Sequence, residues 1–293
     1  EKQVNKNPHN TVQVENQIFD SNNDVPFAKH EWKPFVYGQF YRDTLGEQVQ
    51  MDYEAVIEAI LNGDTEVYVS NEFMVDMFEN MNVLFPPYYF VVEDTNYQDG
   101  LLTLTFTNNR EKVLDEFGSR VVSILDSCIC EGDSDLMKAI AIYNYLTPRL
   151  TYDYSAVGDV YADVTSFRGL TEYSGICQSF AGAYTYLCLQ ENIDATVVVA
   201  VSDKLDTHEW SMINIDGQYY YVDPTFDAGM SSMMYFGFTK EFRADYDDYP
   251  IAWQDIGGME RIRGDVFDGV SDTRFDEFRK INMISSVWCK NTY

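Results

Sequence analysis

The apolar and polar positions alternate between two rhythms along this chain, and the switches between them mark out its elements. YEAVIEAILNG (53–63) repeats apolar residues at helical spacing and stops at Gly63. TEVYVS (65–70) reads as a strand, and NEFMVDMFENM (71–81) as a helix capped by Asn71. YYFVVEDTNYQDGLLTLTFT (88–107) reads as a hairpin, two β-rich runs around a Gly-containing turn. REKVLDEFGSRVVSILDSC (110–128) returns to helical spacing despite Gly118.

DSDLMKAIAIYNYLTPRL (133–150) opens on Asp and Ser capping signals, repeats apolar residues at helical spacing and is stopped by Pro148. Residues 151–175 form a polar segment with short ordered pieces. A helix then opens at Cys177 in SGICQSFAGAYTYLCLQ, followed by an apolar strand, ATVVVAVS (195–202), and a second hairpin, HEWSMINIDGQYYYV (208–222). SDTRFDEFRKI (271–281) reads as one more helix. Internal repeats and low-complexity tracts are absent from the sequence. The pattern predicts an α+β fold in four parts. These are a flexible polar leader (1–34), an α+β accessory region (35–130), a core (131–250) and a C-terminal extension packed on that core (251–293).

The chain's 293 residues, 45% of them hydrophobic, suffice for a sizeable core. With 48 acidic and 20 basic residues the formal net charge is -28, which repels nucleic acid and excludes a polyanionic partner. The acidity reads first as a solubility device, and second as a surface that favours basic substrates. No apolar run approaches the roughly 18–20 residues of a membrane span. The chain opens on Glu1 rather than Met, with a leader rich in Asn, Gln and charge. That opening fits an exported mature protein lacking its signal sequence and tethered to a cell surface upstream of Glu1, and it fits an artificially trimmed chain as well.

The five cysteines are Cys128, Cys130, Cys177, Cys188 and Cys289. An odd number argues against a disulfide framework, and Cys128 and Cys130 stand too close in sequence for an easy mutual bridge. Zinc is not expected, since no CxxC pair exists and two of the three histidines, His9 and His30, lie in the leader. ADYDDYP (244–250) lacks EF-hand spacing and reads as a solvated acidic loop rather than a calcium site. The chemistry derived below needs no cofactor and no metal.

Cys177 stands at the first turn of its helix. There the helix dipole and unpaired N–H groups favour a thiolate and can hold an oxyanion beside the sulfur. It shares a helical face with Phe180, Ala181, Tyr184, Leu187 and Cys188. Cys188, three turns further along, is expected to be inert packing, as are Cys128, Cys130 and Cys289. In the second hairpin, Asp216-Gly217 signals a two-residue type I′ turn. If Ile215 pairs with Gln218, Trp210 stands opposite Asp223, and His208 shares their face. His208 and Asp223 are then diagonal neighbours, about 7–8 Å apart at Cα and closer at the side chains. A slip of one residue would put them on opposite faces, and Glu209 points away from His208. A cysteine on a helical face is packing far more often than a nucleophile. Here, however, the histidine outside the leader falls where a base would be needed.

In that order, SGICQSFAGAY, HEWS and DPTFD resemble the transglutaminase-like (papain-like cysteine) superfamily, most closely its bacterial extracellular branch. The family pattern G-x-C-x-x-[FY]-A, H-x-W, D-P-T maps onto Gly175–Ala181, His208–Trp210 and Asp223–Thr225. The likeness covers about residues 133–250. It implies a Cys-bearing helix packed on an antiparallel sheet that carries His and Asp. It also implies a Cys177-His208-Asp223 triad, with Tyr152, Tyr154, Gln178 and Trp210 as oxyanion or pocket candidates and Tyr152 preferred. HEWS departs from the usual residues after His and after Trp, and Phe226 stands where Trp is common, so the pocket rim is expected to differ.

The expected activity is cysteine-dependent acyl transfer on protein or peptide amides through a thioester. Water as acceptor makes the protein a peptidase or amidase, and a lysine amine makes it a cross-linking transglutaminase. The alternative is a non-catalytic binding or scaffold module that keeps the fold. Acyl transfer from a small thioester to an amine ranks below both, because the lead-in motif of arylamine acetyltransferases is not evident. The expected location is extracellular or at a bacterial cell surface.

Overall fold

The computed structural model describes residues 25–70, 82–200, 208–238 and 274–275. The expected helices at 71–81 and 271–281 and the acidic loop at 244–250 lie largely or wholly outside these residues. Within them the chain is a mixed α+β structure with two antiparallel sheets.

The N-terminal part begins with helix α1 (Gln39–Asn62), kinked at Gly46, which extends the predicted 53–63 helix toward the N-terminus. Carboxylate and guanidinium groups from elsewhere serve its two ends. Asp194 Oδ1 accepts the Phe40 N–H at 3.0 Å, so an anion sits at the helix N-terminus. Arg110 donates to the Ile60 and Leu61 carbonyls at its other end. Strand β1 (Glu66–Tyr68) follows. The stretch predicted to be a plain hairpin starts with a single helical turn, α2 (Tyr88–Val91), before β2 (Val92–Gln98) and β3 (Leu101–Phe106). Tyr88 and Val91 are buried there, so packing overrides the strand preference of the YYFV run. The sheet order is β1-β3-β2. Helix α3 (Arg110–Leu125) closes this part.

The C-terminal part holds helix α4 (Asp135–Leu146), capped by Ser134, and a two-residue parallel pair, β4 (Thr151–Tyr152) and β5 (Ser174–Gly175). Helices α5 (Ser166–Thr171) and α6 (Cys177–Gln190) come next. An antiparallel sheet then runs β6 (Ala195–Ala200), β7 (His208–Ile215), β8 (Gln218–Val222) and β9 (Phe236–Phe238), in that order.

Helix α6 is the centre of the molecule. The sequence suggests one apolar face, yet every residue from Ser179 to Gln190 is buried. The helix is enclosed by β6 and β7 on one side and by α4 and α5 on others, so no face is left for water. One hydrophobic cluster runs from Val36 through α6 to Phe275, joining the N-terminal and C-terminal parts. Trp32 helps to join them. It stacks on Phe85 and meets Phe117 edge-on, and its indole N–H donates to the Tyr186 hydroxyl at 2.8 Å. Just before it, Phe27 bridges Cys130, and His30 Nδ1 lies 2.9 Å from Asp126 Oδ1. None of the described helices is long and apolar enough to cross a membrane.

Phe117 packs against Trp32, Phe167 and Tyr186 at this junction and is fully buried. Phe117→Ala is expected to lower the unfolding free energy by about 3–5 kcal/mol, read as a fall in the chemical denaturation midpoint at unchanged slope.

Candidate active site

The site is built where the mouth of α6 meets the β7–β8 hairpin. Gly175 and Ile176 form the approach to Cys177. Gly175 has φ 146, and a Cβ there would collide with the Ser179 side chain. That side chain is engaged, because Ser179 Oγ accepts the Ile176 N–H at 3.3 Å. The tight approach therefore needs glycine and sets Cys177 at the first position of α6, half-buried, while the rest of the helix disappears into the core. Cys128 and Cys188 are free but buried, and burial pushes both thiols upward in pKa. Cys130 differs from the expectation of inert packing, because it is disulfide-bonded.

The hairpin follows the predicted register. Asp216 and Gly217 both have positive φ, as a type I′ turn requires, and Ile215 pairs with Gln218. Ser211 pairs with Val222, which leaves His208 and Asp223 on one face at the open end of the hairpin. Their side chains meet, with His208 Nε2 lying 2.7 Å from Asp223 Oδ2. Asp223 is fully buried, and its second oxygen accepts the Thr225 N–H at 2.9 Å. Burial pulls the His208 pKa down. The Asp223 carboxylate and a hydrogen bond with Cys177 outweigh it and raise the imidazole from 6.5 to about 9. Cys177, His208 and Asp223 thus form one connected set.

The other expected residues fall into two groups. Tyr152 lies beside Gly175 through the β4–β5 pair, with its ring 6.2 Å from Phe180. Burial, then Cys177 and Tyr154, hold its phenol above the ordinary value, so it remains an O–H donor. The Tyr154 ring lies tilted against it at 4.8 Å and is exposed, and Gln178 is half-buried on the first turn of α6. Trp210 is fully buried and packs edge-to-face against His208 at 5.7 Å, beneath the imidazole. Phe226 covers the imidazole's outer side, edge-on at 5.0 Å. Glu209 alternates to the opposite face, as expected. Burial nevertheless pushes its carboxyl up to about 7, with His208 pulling against it.

Sequence reasoning missed Asp227 and Tyr143. Asp227 is fully buried, and its Oδ2 accepts from the Tyr143 hydroxyl at 2.6 Å and from the Tyr235 N–H at 3.1 Å. Tyr143 Oη also lies 3.0 Å from the Asp223 carbonyl, and the Asp223 N–H donates to the Tyr235 carbonyl at 2.9 Å. Both backbone polar groups of Asp223 are therefore held through Asp227 and its partners. Burial raises the Asp227 carboxyl, while the hydrogen bonds from Tyr143, Tyr235 and Ser232 lower it. The available signal was the second acid in DPTFD, four residues after Asp223. Among the described residues no group of three or more His, Cys, Asp or Glu is disposed to hold a metal ion.

Residues 123–224 match the family model of the transglutaminase-like superfamily, a span that takes in Cys177, His208 and Asp223. No curated protein matches the chain. Two solved structures are similar over part of it. One is a proposed cysteine protease from Cytophaga hutchinsonii, 24% identical, with 30% of this chain and 30% of that chain covered at a TM-score of 0.26. The other is a TGase, 15% identical, with 57% of this chain and 46% of that chain covered at a TM-score of 0.30. The chain thus spans less than half of either structure, and neither likeness adds to what the geometry supports.

Two outcomes are expected from this arrangement. Because the His208 pKa is raised, the stabilisation from its ionised form is complete below about pH 6.5 and is lost as pH rises through about 9. The difference in unfolding free energy between wild type and His208→Gln should therefore narrow across that window, and a gap independent of pH would contradict the pairing. Asp227→Ala, which leaves the Tyr235 N–H without its acceptor and the Tyr143 hydroxyl with only the Asp223 carbonyl, should cost about 1–3 kcal/mol. Asp227→Asn keeps an acceptor oxygen and should cost clearly less in the same denaturation experiment.

Proposed function

We propose that this chain, which carries a transglutaminase-like superfamily domain over residues 123–224, is a cysteine-dependent acyl-transfer enzyme acting on protein or peptide amides. The observation that carries the reading is the joining of Cys177 at the mouth of α6 to His208, and of His208 to the buried Asp223. An imidazole held protonated up to about pH 9 is the counter-ion that a thiolate needs at neutral pH.

The reaction follows from those positions. The Cys177 thiolate attacks the amide carbonyl carbon, and the oxyanion forms against the backbone N–H groups at the start of α6. Tyr152 or Gln178 supplies a second donor. The His208 imidazolium gives its proton to the leaving amine as the C–N bond breaks, leaving a thioester on Sγ. Neutral His208 then takes a proton from the incoming acceptor. Collapse of the second tetrahedral intermediate breaks the C–S bond and restores the thiolate–imidazolium pair. Asp223 orients the ring and balances its charge throughout. Water as acceptor gives a peptidase or amidase, and a lysine amine gives a cross-link. Both outcomes use the same thioester, and this site favours neither. We further propose an extracellular or cell-surface location, which the disulfide at Cys130 supports, since such bonds persist in oxidising compartments.

The test is a time course of iodoacetamide modification at about pH 6, mapped to each cysteine. Fast labelling confined to Cys177 and lost in His208→Ala is expected. Equally slow labelling in both proteins would favour a non-catalytic module that retains the fold. Where turnover is seen, Cys177→Ala should lower kcat by about 10³-fold or more, and activity should decline as pH rises past about 9 with loss of the His208 proton. Adding a primary amine then separates cross-linking from hydrolysis, by isopeptide formation against release of acid.

A further inference from the structure

The two loops that flank Cys177 and His208 expose apolar side chains in a chain that is otherwise strongly acidic. On the loop after β4, Tyr154, Val157, Val160 and Tyr161 face water, with Val160 and Tyr161 87% and 93% exposed. On the loop after β8, Phe226, Met230 and Met234 do the same. Together these are seven of the twelve exposed large apolar residues among those described, so the exposure is concentrated rather than scattered.

Both loops reach the reactive pair. The Tyr154 ring lies 4.8 Å from that of Tyr152, whose phenol is in the field of Cys177. The Phe226 ring lies 5.0 Å from His208. The second loop is anchored next to the first, because the Gly229 N–H donates to the Thr147 carbonyl at 2.7 Å, just ahead of β4.

Most of the charge in both loops is paired, bonded to the backbone or buried. Residues 151–165 and 223–238 contain no Lys or Arg. Asp153 is bound by Arg168 at 2.8 Å. Asp159 accepts the Tyr161 N–H at 3.0 Å, and Asp163 accepts the Thr165 N–H at 2.9 Å. Asp223 and Asp227 are buried. Asp159 stays exposed, so what the two loops offer a ligand is one exposed carboxylate among seven aromatic and aliphatic side chains.

We propose that this rim is the acyl-donor subsite, and that it takes a peptide segment with aromatic or aliphatic side chains next to the reacting amide. A Lys-rich segment, which the net charge alone would favour, is not its occupant. The proposal rests on the acyl-transfer reading only for the position of the reacting carbonyl.

Binding to the Cys177→Ala protein tests it without chemistry. Short fluorescent peptides rich in Phe and Leu, rich in Lys, or made of Ser and Gly would be compared by anisotropy at physiological salt. The apolar peptides should bind about tenfold tighter than the Lys-rich ones. The double variant Val160→Ser, Tyr161→Ser should lose most of that preference at an unchanged unfolding midpoint. Equal binding, tighter binding of the Lys-rich peptides, or a preference that survives the double variant would overturn the proposal. So would concentration-dependent dimerisation that the variant abolishes while no peptide preference is seen, since the rim would then be a contact between copies. Slow iodoacetamide labelling of wild-type Cys177 would instead count against the acyl-transfer reading, and the binding result would be judged apart from it.

Discussion

A fully buried carboxylate governs the architecture around this site. Asp223 lies at the open end of a hairpin with no access to water, and an unpaired charge there would be severely destabilising. Its two oxygens are taken by His208 and by the Thr225 N–H, and its backbone by Tyr235 and Tyr143. Breaking such a buried pair from one side costs about 3–5 kcal/mol in general. The hairpin, the Asp227 turn and helix α4, which carries Tyr143, are therefore tied to one another through the side chain and backbone of a single residue. The same bond keeps the imidazole charged, which ties the electrostatics of the site to the packing of the fold.

Helix α6 supplies the complementary constraint. Its residues from Ser179 onward are wholly buried, so its axis cannot shift without disturbing the sheet on one side and α4 and α5 on others. Cys177 is the point at which this rigid element reaches the surface. The geometry of thiol and imidazole is thereby set by two inflexible parts, a core helix and a sheet, while the loops that surround them carry the variable surface. Glycine at 175 is what allows the chain to enter the helix at so close an approach to Ser179.

The central site was legible in the sequence because its placement depends on short-range rules. The Asp216-Gly217 turn determines hairpin register, register determines the face, and the face brings His208 to Asp223. The helix start at Cys177 was equally local. What was not legible depends on contacts between distant residues. Tyr143 and Asp227 are 84 residues apart, and no periodicity links them. The helical turn at Tyr88–Val91 arises where burial overrules the strand preference of its sequence. The disulfide at Cys130 escaped because an odd cysteine count was read against any framework, although one bridge and three free thiols fit that count as well.

The contrast between global charge and local composition explains how an acidic protein can expose apolar side chains beside Cys177 and His208. With a net charge of -28, repulsion keeps the molecule soluble over most of its surface, so a limited apolar rim is tolerable. Asp159 and Asp163 accept backbone N–H groups of their own loop, which stiffens it, while Asp159 stays exposed. Asp153 and Arg168 neutralise each other beside β4. Cys177 is itself hydrogen-bonded to His208, which is paired with Asp223. That matters for a thiolate, because free acidic groups at the rim would disfavour a second negative charge on sulfur. An apolar rim and a cysteine hydrogen-bonded to His208 are compatible where the local aspartates are paired, buried or bonded to the backbone.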